Sequence, residues 1–300
     1  MFISAAHVKD WRELQDRVCR LFIEMDYEAE SEKSVALAGR GKKQIDVFVN
    51  DLLASYNRTY LIECKYWDVN VPQEVVHAFK TVMEETGANT GFIVSKKGFQ
   101  PGAYEASRFT NIKLLTFDEL QHLYGNEWFR KQSAKLDVQK ERLGAMRSLH
   151  FDPASNICIF NNYYFHNKEL NERFAYFNLW SMNLFLSIGG ISPGSYLGPE
   201  PVKIPVDPTD PFSQSQGWYE FPTVRDYFVV MTATAKKCAD GFEELCNQAK
   251  ASFDGLSDNE QWSIRSENRL RSLEETPIRV LKQYVSQREY QQLLDSLRPV

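Results

Sequence analysis

The chain has 300 residues, is 43% hydrophobic and 25% charged, and carries a net charge of −5, the profile of an ordinary globular protein of about two domains. Residues 1–130 hold 16 Lys+Arg against 19 Asp+Glu, a net of −3. Residues 131–150 hold 5 against 2, a net of +3, and residues 151–300 hold 14 against 19, a net of −5. This balance excludes a strongly basic, self-sufficient grip on nucleic acid. The five cysteines, at 19, 64, 158, 238 and 246, show no Cys-x-x-Cys spacing, and no His-x-x-x-His occurs, so neither a disulfide framework nor a structural zinc site is supported.

Met1–His7 lacks the charged-then-apolar pattern of a signal peptide, and a reducing cytoplasm is the expected setting. From His7 to Met25, Val8, Trp11, Leu14, Val18, Leu21 and Phe22 recur at helical spacing. Tyr27 to Leu37 reads as extended and ends at the turn signal Gly39-Arg40-Gly41. Ile45 to Val49 and Thr59 to Tyr66 read as strands joined by a hairpin connection. Pro72 opens a helix with the stripe Val75, Val76, Phe79, Val82 and Met83, stopped by Gly87. Thr90 to Ser95 is a strand, Ala103 to Phe109 a helix, Ile112 to Thr116 a strand, and Phe117 to Tyr124 a further helix. The order specifies an α/β layer whose mixed sheet is covered on both faces.

Trp128 to Leu149 reads as a basic connecting helix carrying Lys131, Lys135, Lys140, Arg142 and Arg147. Tyr163 to Leu186 is aromatic-rich and helical in pattern. Its stretch Phe174–Ile191 is too polar for a membrane span, with Asn178, Ser181, Asn183 and Ser187 inside it. Ser192 to Pro222, with seven prolines, reads as a long irregular loop. Tyr227 to Ala233 is a strand candidate. Lys236 to Phe253, Asn259 to Glu275 and Ser286 to Leu297 read as helices. The expected division is residues 1–127 as an α/β domain, 128–150 as the connecting helix, and 151–300 as a mainly α-helical regulatory or partner-binding domain.

Two apolar, β-prone runs contain charge. Asp46 sits in Gln44-Ile45-Asp46-Val47-Phe48-Val49, and Glu63 and Lys65 sit in Tyr60-Leu61-Ile62-Glu63-Cys64-Lys65-Tyr66. Burying an unpartnered ion is expensive, so charges here need a reason. Residues two apart on a strand share a face, so Glu63 and Lys65 project together while Cys64 points into the core. Two carboxylates beside a lysine suit a magnesium-dependent phosphodiesterase site, with Asp46 and Glu63 holding a hard cation and Lys65 orienting the attacking water. The bland alternative is a solvent-facing cross-strand charge pair.

In this setting the chain from Trp11 to Leu120 resembles the catalytic domain of Mrr-like type IV restriction endonucleases, within the PD-(D/E)xK nuclease superfamily. The resemblance is carried in order by Trp11-Arg12-Glu13-Leu14, Met25-Asp26-Tyr27-Glu28-Ala29, Gly39 and Gly41 before Gln44-Ile45-Asp46-Val47, and Ile62-Glu63-Cys64-Lys65-Tyr66-Trp67. It continues through Gly91-Phe92-Ile93-Val94-Ser95, Gly98-Phe99, Ala103 with Ala106, and Ile112-Lys113-Leu114-Leu115. It covers roughly the first 125 residues and implies a restriction-endonuclease-like mixed central sheet flanked by helices. It implies Asp46 and Glu63 as metal ligands for Mg or Mn, Lys65 as the catalytic lysine, and Glu13 as a possible third carboxylate from the first helix. Ile45 stands where the motif's name has proline.

Arg40, Lys42 and Lys43 beside Asp46, Gln73 in the helix after the lysine strand, and Lys96 and Lys97 after the fourth strand are candidate phosphate contacts. His77 reads as a partly exposed polar residue. The implied function is a metal-dependent DNA endonuclease, an effector of anti-phage or restriction defence gated by its C-terminal region or by a partner. A homo-oligomer or a complex with an ATPase or sensor subunit is the implied assembly. Alternatives are a catalytically silent nuclease fold that binds nucleic acid or serves as a structural subunit, and a repair or recombination nuclease. The cluster Tyr163, Tyr164, Phe165, Phe174, Tyr176, Phe177 and Trp180 reads as buried core or interface rather than a base-stacking platform. Trp218-Tyr219-Glu220-Phe221 is either an exposed docking element or pinned to its own domain.

Overall fold

The computed structural model describes residues 8–39, 41–52, 56–148, 165–188, 201–212 and 218–275. In chain order these form α1 (Trp11–Glu24), β1 (Glu28–Leu37), β2 (Gly41–Asp51), β3 (Arg58–Lys65), α2 (Gln73–Thr86), β4 (Thr90–Ser95), α3 (Pro101–Ser107), β5 (Ile112–Thr116) and α4 (Phe117–Ser148). There follow α5 (Lys168–Ile188), β6 (Val202–Ile204), β7 (Tyr219–Phe221), α6 (Val224–Asp254) and α7 (Asp258–Glu275). The helix expected over Ser286–Leu297, together with Arg40, Tyr163 and Tyr164, lies outside the described residues.

Five strands form one sheet in the order β1-β2-β3-β4-β5. β1, β2 and β3 pair antiparallel, and β3, β4 and β5 pair parallel. The sheet is mixed because β1, β2 and β3 follow one another with no helix between them among the described residues, whereas β3 to β4 and β4 to β5 cross over through α2 and α3. Alternation along the strands separates two faces. On one side Tyr60 meets Phe22 of α1 at a tilt, and Phe92 meets Tyr60 and Tyr124 of α4 edge-on. Their neighbours Leu61 and Ile93 are buried on the other with Val76, Phe79 and Met83 of α2 and Ala103 of α3. β4 is covered on both sides, and from Gly91 to Ser95 every residue is buried, which explains its continuous apolar run. Gly91 is small for a steric reason. A Cβ there would lie 2.7 Å from the Phe79 ring and 2.9 Å from Met83 Sδ, so α2 could not seat as closely on the sheet.

Local signals set the helix ends. Asp10 caps α1 by accepting from Glu13 N–H at 2.8 Å, and Glu13 accepts from Lys9 N–H at 2.7 Å, a reciprocal cap of the box type. Gly87 ends α2 in the left-handed region, φ 68°. The two helices expected over 117–124 and 128–149 are one continuous helix, α4, which Thr116 and Glu119 open with a capping box.

The chain divides into two compact units. The first comprises residues 1–135, 191–203 and 220–229; the second comprises 136–190, 204–219 and 230–300. In the first, Glu24 at the end of α1 gathers several donors. Its carboxylate accepts from Trp128 Nε1 and Arg225 Nε, both at 2.8 Å, and its carbonyl from Gln132 at 2.6 Å and Lys135 at 2.9 Å.

In the second unit, Phe165, Phe174 and Trp180 are buried. Phe177 stacks on Phe242 and lies over Gly241, where a Cβ would come within 2.7 Å of its ring. The described aromatics of that cluster are therefore core. Trp180 Nε1 and Asn183 Nδ2 donate to the carbonyls of Pro208 and Pro211 at 2.8 and 3.0 Å, which ties the described part of the proline-rich segment to α5. In the Trp218–Phe221 segment, Phe221 is buried in β7 and Trp218 is exposed. The strand expected over Tyr227–Ala233 is helical instead. Within it Tyr227, Phe228 and Met231 are buried, a helical spacing that β-branched and aromatic composition disguises. Among the described residues no helix is long and apolar enough to cross a membrane.

Candidate active site

β2 and β3 are in register from Asp51↔Arg58 to Val47↔Ile62. One step further, Asp46 and Glu63 would face each other, and there the ladder stops. Cys64 N–H, the next donor toward β2, instead donates to Asp46 Oδ2 at 2.7 Å. On its other side, β2 pairs with β1 through Ser31↔Val47 and Lys33↔Ile45 but skips Glu32 and Asp46. Glu32 has φ 56°, an unusual backbone for a non-glycine residue. Asp46 therefore sits at a break in both ladders, where a strand re-aims a side chain. β3 meanwhile stays paired to β4 through Glu63↔Ile93 and Lys65↔Ser95, which holds Glu63 and Lys65 rigidly on one face.

Lys65 Nζ donates to Glu63 Oε1, with side chains 18% and 15% exposed, so this is a mostly buried pair rather than a solvated one. The Lys65 amine also lies 5.4 Å from the centroid of the Trp67 ring, a partly exposed indole. Burial pushes the Asp46 carboxyl above the usual range, and the Glu63 carboxylate raises it further. Hydrogen bonds from Cys64 N–H and the Gln15 side chain, with the charge of Lys65, oppose this. Cys64 is buried on the opposite face, and its thiol is pushed well up by desolvation and by the two acids. It is packing, not a nucleophile.

Gln15 is the residue that sequence reasoning missed. It is a buried polar side chain of α1, bonded to Asp46. A glutamine at a core position of an otherwise apolar stripe was the available signal. Glu13 is not brought to the pair. Its carboxylate is taken by Lys9 N–H and by Arg17 at 2.7 Å, because Glu13 points to the outer side of α1 while Gln15 points inward. Among the described residues no three His, Cys, Asp or Glu side chains come together.

Two carboxylates in mutual repulsion, with the Gln15 side chain beside them, form an oxygen donor set. Magnesium is commonly held by one or two carboxylates with water and phosphate completing its shell. The residues present fit such an ion, because a cation offsets the repulsion that raises Asp46.

Lys42 and Lys43 are exposed on β2, opposite Ala36 and Val35. Gln73 and His77 are exposed on α2. Lys97 is exposed, while Lys96 is engaged with Asp68 at 2.7 Å and lies 4.2 Å from the centroid of the Tyr66 ring.

Residues 7–124 match a family model described as restriction endonuclease, Mrr_cat. No curated protein matches the chain. A solved structure titled as a protein of unknown function, AF1548, is similar at 15% identity over 77% of this chain and 98% of its own, with a TM-score of 0.31, a likeness too slight to carry an argument. Residues 7–124 thus carry a nuclease-type domain of the Mrr_cat restriction-endonuclease family.

Proposed function

We propose that this domain is a divalent-metal-dependent DNA endonuclease whose centre is Asp46, Glu63 and Lys65. The observation that carries the reading is the placement of two carboxylates and a lysine at the point where β2 and β3 separate, with Asp46 raised by burial and then by its neighbour Glu63. Asp46 and Glu63 would hold Mg or Mn, with the Gln15 amide beside them. The ion, when bound, supplies Lewis acidity toward the scissile phosphate and a more acidic water. Lys65 orients the attacking water by hydrogen bond and offsets charge that builds on the phosphoryl oxygens. Trp67 shields Lys65 from solvent on one side. Lys42, Lys43 and Lys97 are free to contact phosphates, and Lys96 can do so once it leaves Asp68.

We assign residues 1–127 to the nuclease domain, 128–150 to a connecting helix and 151–300 to regulation or partner binding. The acidic balance of the chain leaves DNA contact to local patches, bound metal or other subunits, and we read the chain as an effector that works as an oligomer or beside an ATPase or sensor subunit, in a cytoplasmic defence system. Gating by the second half is part of this reading; within the first unit, Arg225 bonds Glu24 on the helix that also carries Gln15. The test is cleavage of supercoiled plasmid by the full chain, with candidate partners added. Cleavage with Mg or Mn and its loss on chelation are expected. Cleavage that survives chelation would exclude the metal-dependent reading, and binding without turnover under every metal and partner would favour a silent nuclease fold.

A further inference from the structure

A concavity opens beside the candidate centre. The parallel strands β3, β4 and β5 end at Lys65, Ser95 and Thr116, and ligands of α/β sheets settle outside the carboxyl ends of such strands. There a cleft of about 230 Å³ is lined by Val8, Leu14, Tyr66, Ser95, Lys96, Thr116, Phe117 and Asp118. It neighbours the centre through three connections. Tyr66 follows Lys65, Ser95 is Lys65's partner across the β3–β4 ladder, and Leu14 precedes Gln15, which bonds Asp46.

The walls have a definite chemistry. Val8, Leu14 and Phe117 are buried apolar side chains, and Tyr66 is fixed in place because its hydroxyl donates to the carbonyls of Val8 and Lys9 at 2.7 and 2.8 Å. Lys96, whose amine also bonds Asp68 at 2.7 Å, supplies its remaining N–H donors at one side. Asp118 supplies a carboxylate that makes no hydrogen bond or ion pair among the described residues. The Ser95 and Thr116 hydroxyls are already bonded, to the Gly98 carbonyl and to Glu119, so apolar and aromatic walls flanked by the Lys96 donors and the Asp118 acceptor remain, a setting that matches the edge and faces of a heterocyclic base better than a phosphate, which an unpaired carboxylate would repel. The volume is below the roughly 300–1,000 Å³ of pockets for drug-sized ligands, so it suits one base and not a duplex.

We propose that this cleft receives a single nucleobase, unstacked from the strand that lies at the Asp46–Glu63–Lys65 centre, and favours bases with an exocyclic amino group. The inference rests on that centre being where nucleic acid binds. Asp118 accepts from the amino group, as acidic side chains accept from cytosine N4. Lys96 donates to a ring carbonyl or nitrogen, and Tyr66 and Phe117 pack on the base. Withdrawal of one base from the stack costs a few kcal/mol and least where pairing is already weak. Mismatched, nicked or single-stranded positions are therefore the preferred substrates.

The test uses the full chain with Asp46→Asn, so that bound DNA is not cut, and duplexes carrying 2-aminopurine at successive positions. The expected result is a several-fold fluorescence rise at one position. Asp118→Arg should abolish the rise while binding changes by less than a factor of about ten, or 1.4 kcal/mol, and Lys96→Ala, which also removes a phosphate contact, should abolish it at protein concentrations that restore full binding. Absence of a responsive position, absence of binding, or a rise that survives both cleft substitutions overturns the proposal. Cleavage of the same duplexes by the chain with an intact centre is scored separately. Unstacking without cleavage would leave the cleft standing and refute the nuclease reading; cleavage without unstacking would do the reverse.

Discussion

Arg225→Ala isolates the contact that ties a residue from the second half of the chain to the nuclease domain. Arg225 Nε donates to Glu24 Oε1 at 2.8 Å, its terminal nitrogen donates to the same oxygen, and the two side chains are 12% and 19% exposed. Truncation of one partner in a fully buried pair costs about 3–5 kcal/mol because the other charge is left stranded, whereas exposed pairs contribute about 0–1 kcal/mol. Here Trp128 still donates to the second Glu24 oxygen, and some solvent reaches the pair. The expected loss is therefore about 2–3 kcal/mol. For a unit of this size that is a melting temperature lower by roughly 5–10 °C. Urea unfolding of the full chain, followed by tryptophan fluorescence, measures it. Glu24→Gln and the double variant complete a cycle whose coupling should exceed about 1 kcal/mol. A loss below about 0.5 kcal/mol, the usual range of surface changes, would refute the claim that this contact holds α1.

Asp46→Asn should stabilise the metal-free protein at neutral pH, since burial and Glu63 raise this carboxyl when the chain folds. A raised acid destabilises the fold above its folded pKa, and the penalty disappears as pH falls through that value to the ordinary range, so the gain should fade on acidification. Thermal melts across pH read this, and addition of Mg should raise the melting temperature of the unsubstituted chain more than that of Asp46→Asn. Gln15→Leu keeps a helix-compatible side chain of similar size but removes the bond to Asp46; its turnover should fall about 10-fold or more with the fold retained, as losses of ligand-orienting partners do. Gly91→Ala should destabilise by about 1–3 kcal/mol because its Cβ overlaps Phe79 and Met83, seen as a lower urea midpoint.

The first half of the fold is legible in the sequence because local signals and global packing agree there. The Leu14–Phe22 stripe, Pro72 and Gly87, and the apolar run at Phe92–Val94 each specify an element that forms. Asp46, Glu63 and Lys65 were legible because charge inside apolar strands demands an explanation. Gln15 was not, since a single polar residue in a helical stripe is compatible with many environments, and its role depends on an Asp46 thirty-one positions away. Tyr227–Met231 misleads because β-branched and aromatic residues in a short run satisfy strand and helix templates alike. The cleft beside the centre is a product of three strand ends meeting, which no local pattern announces. Nor does sequence show that residues 220–229 pack with the first unit, because long-range partners such as Glu24 and Arg225 have no spacing signature.

The central claim is that Lys65, with Asp46 and Glu63, cuts a phosphodiester bond. Single-turnover cleavage by Lys65→Ala, set beside the unsubstituted chain in Mg under any activating condition found, tests it most directly. With the melting curve unchanged, the rate should fall by about 10²–10⁴-fold. A rate within a factor of about three of the unsubstituted chain, well under the loss expected from removal of any group that acts in the transition state, would contradict the assignment.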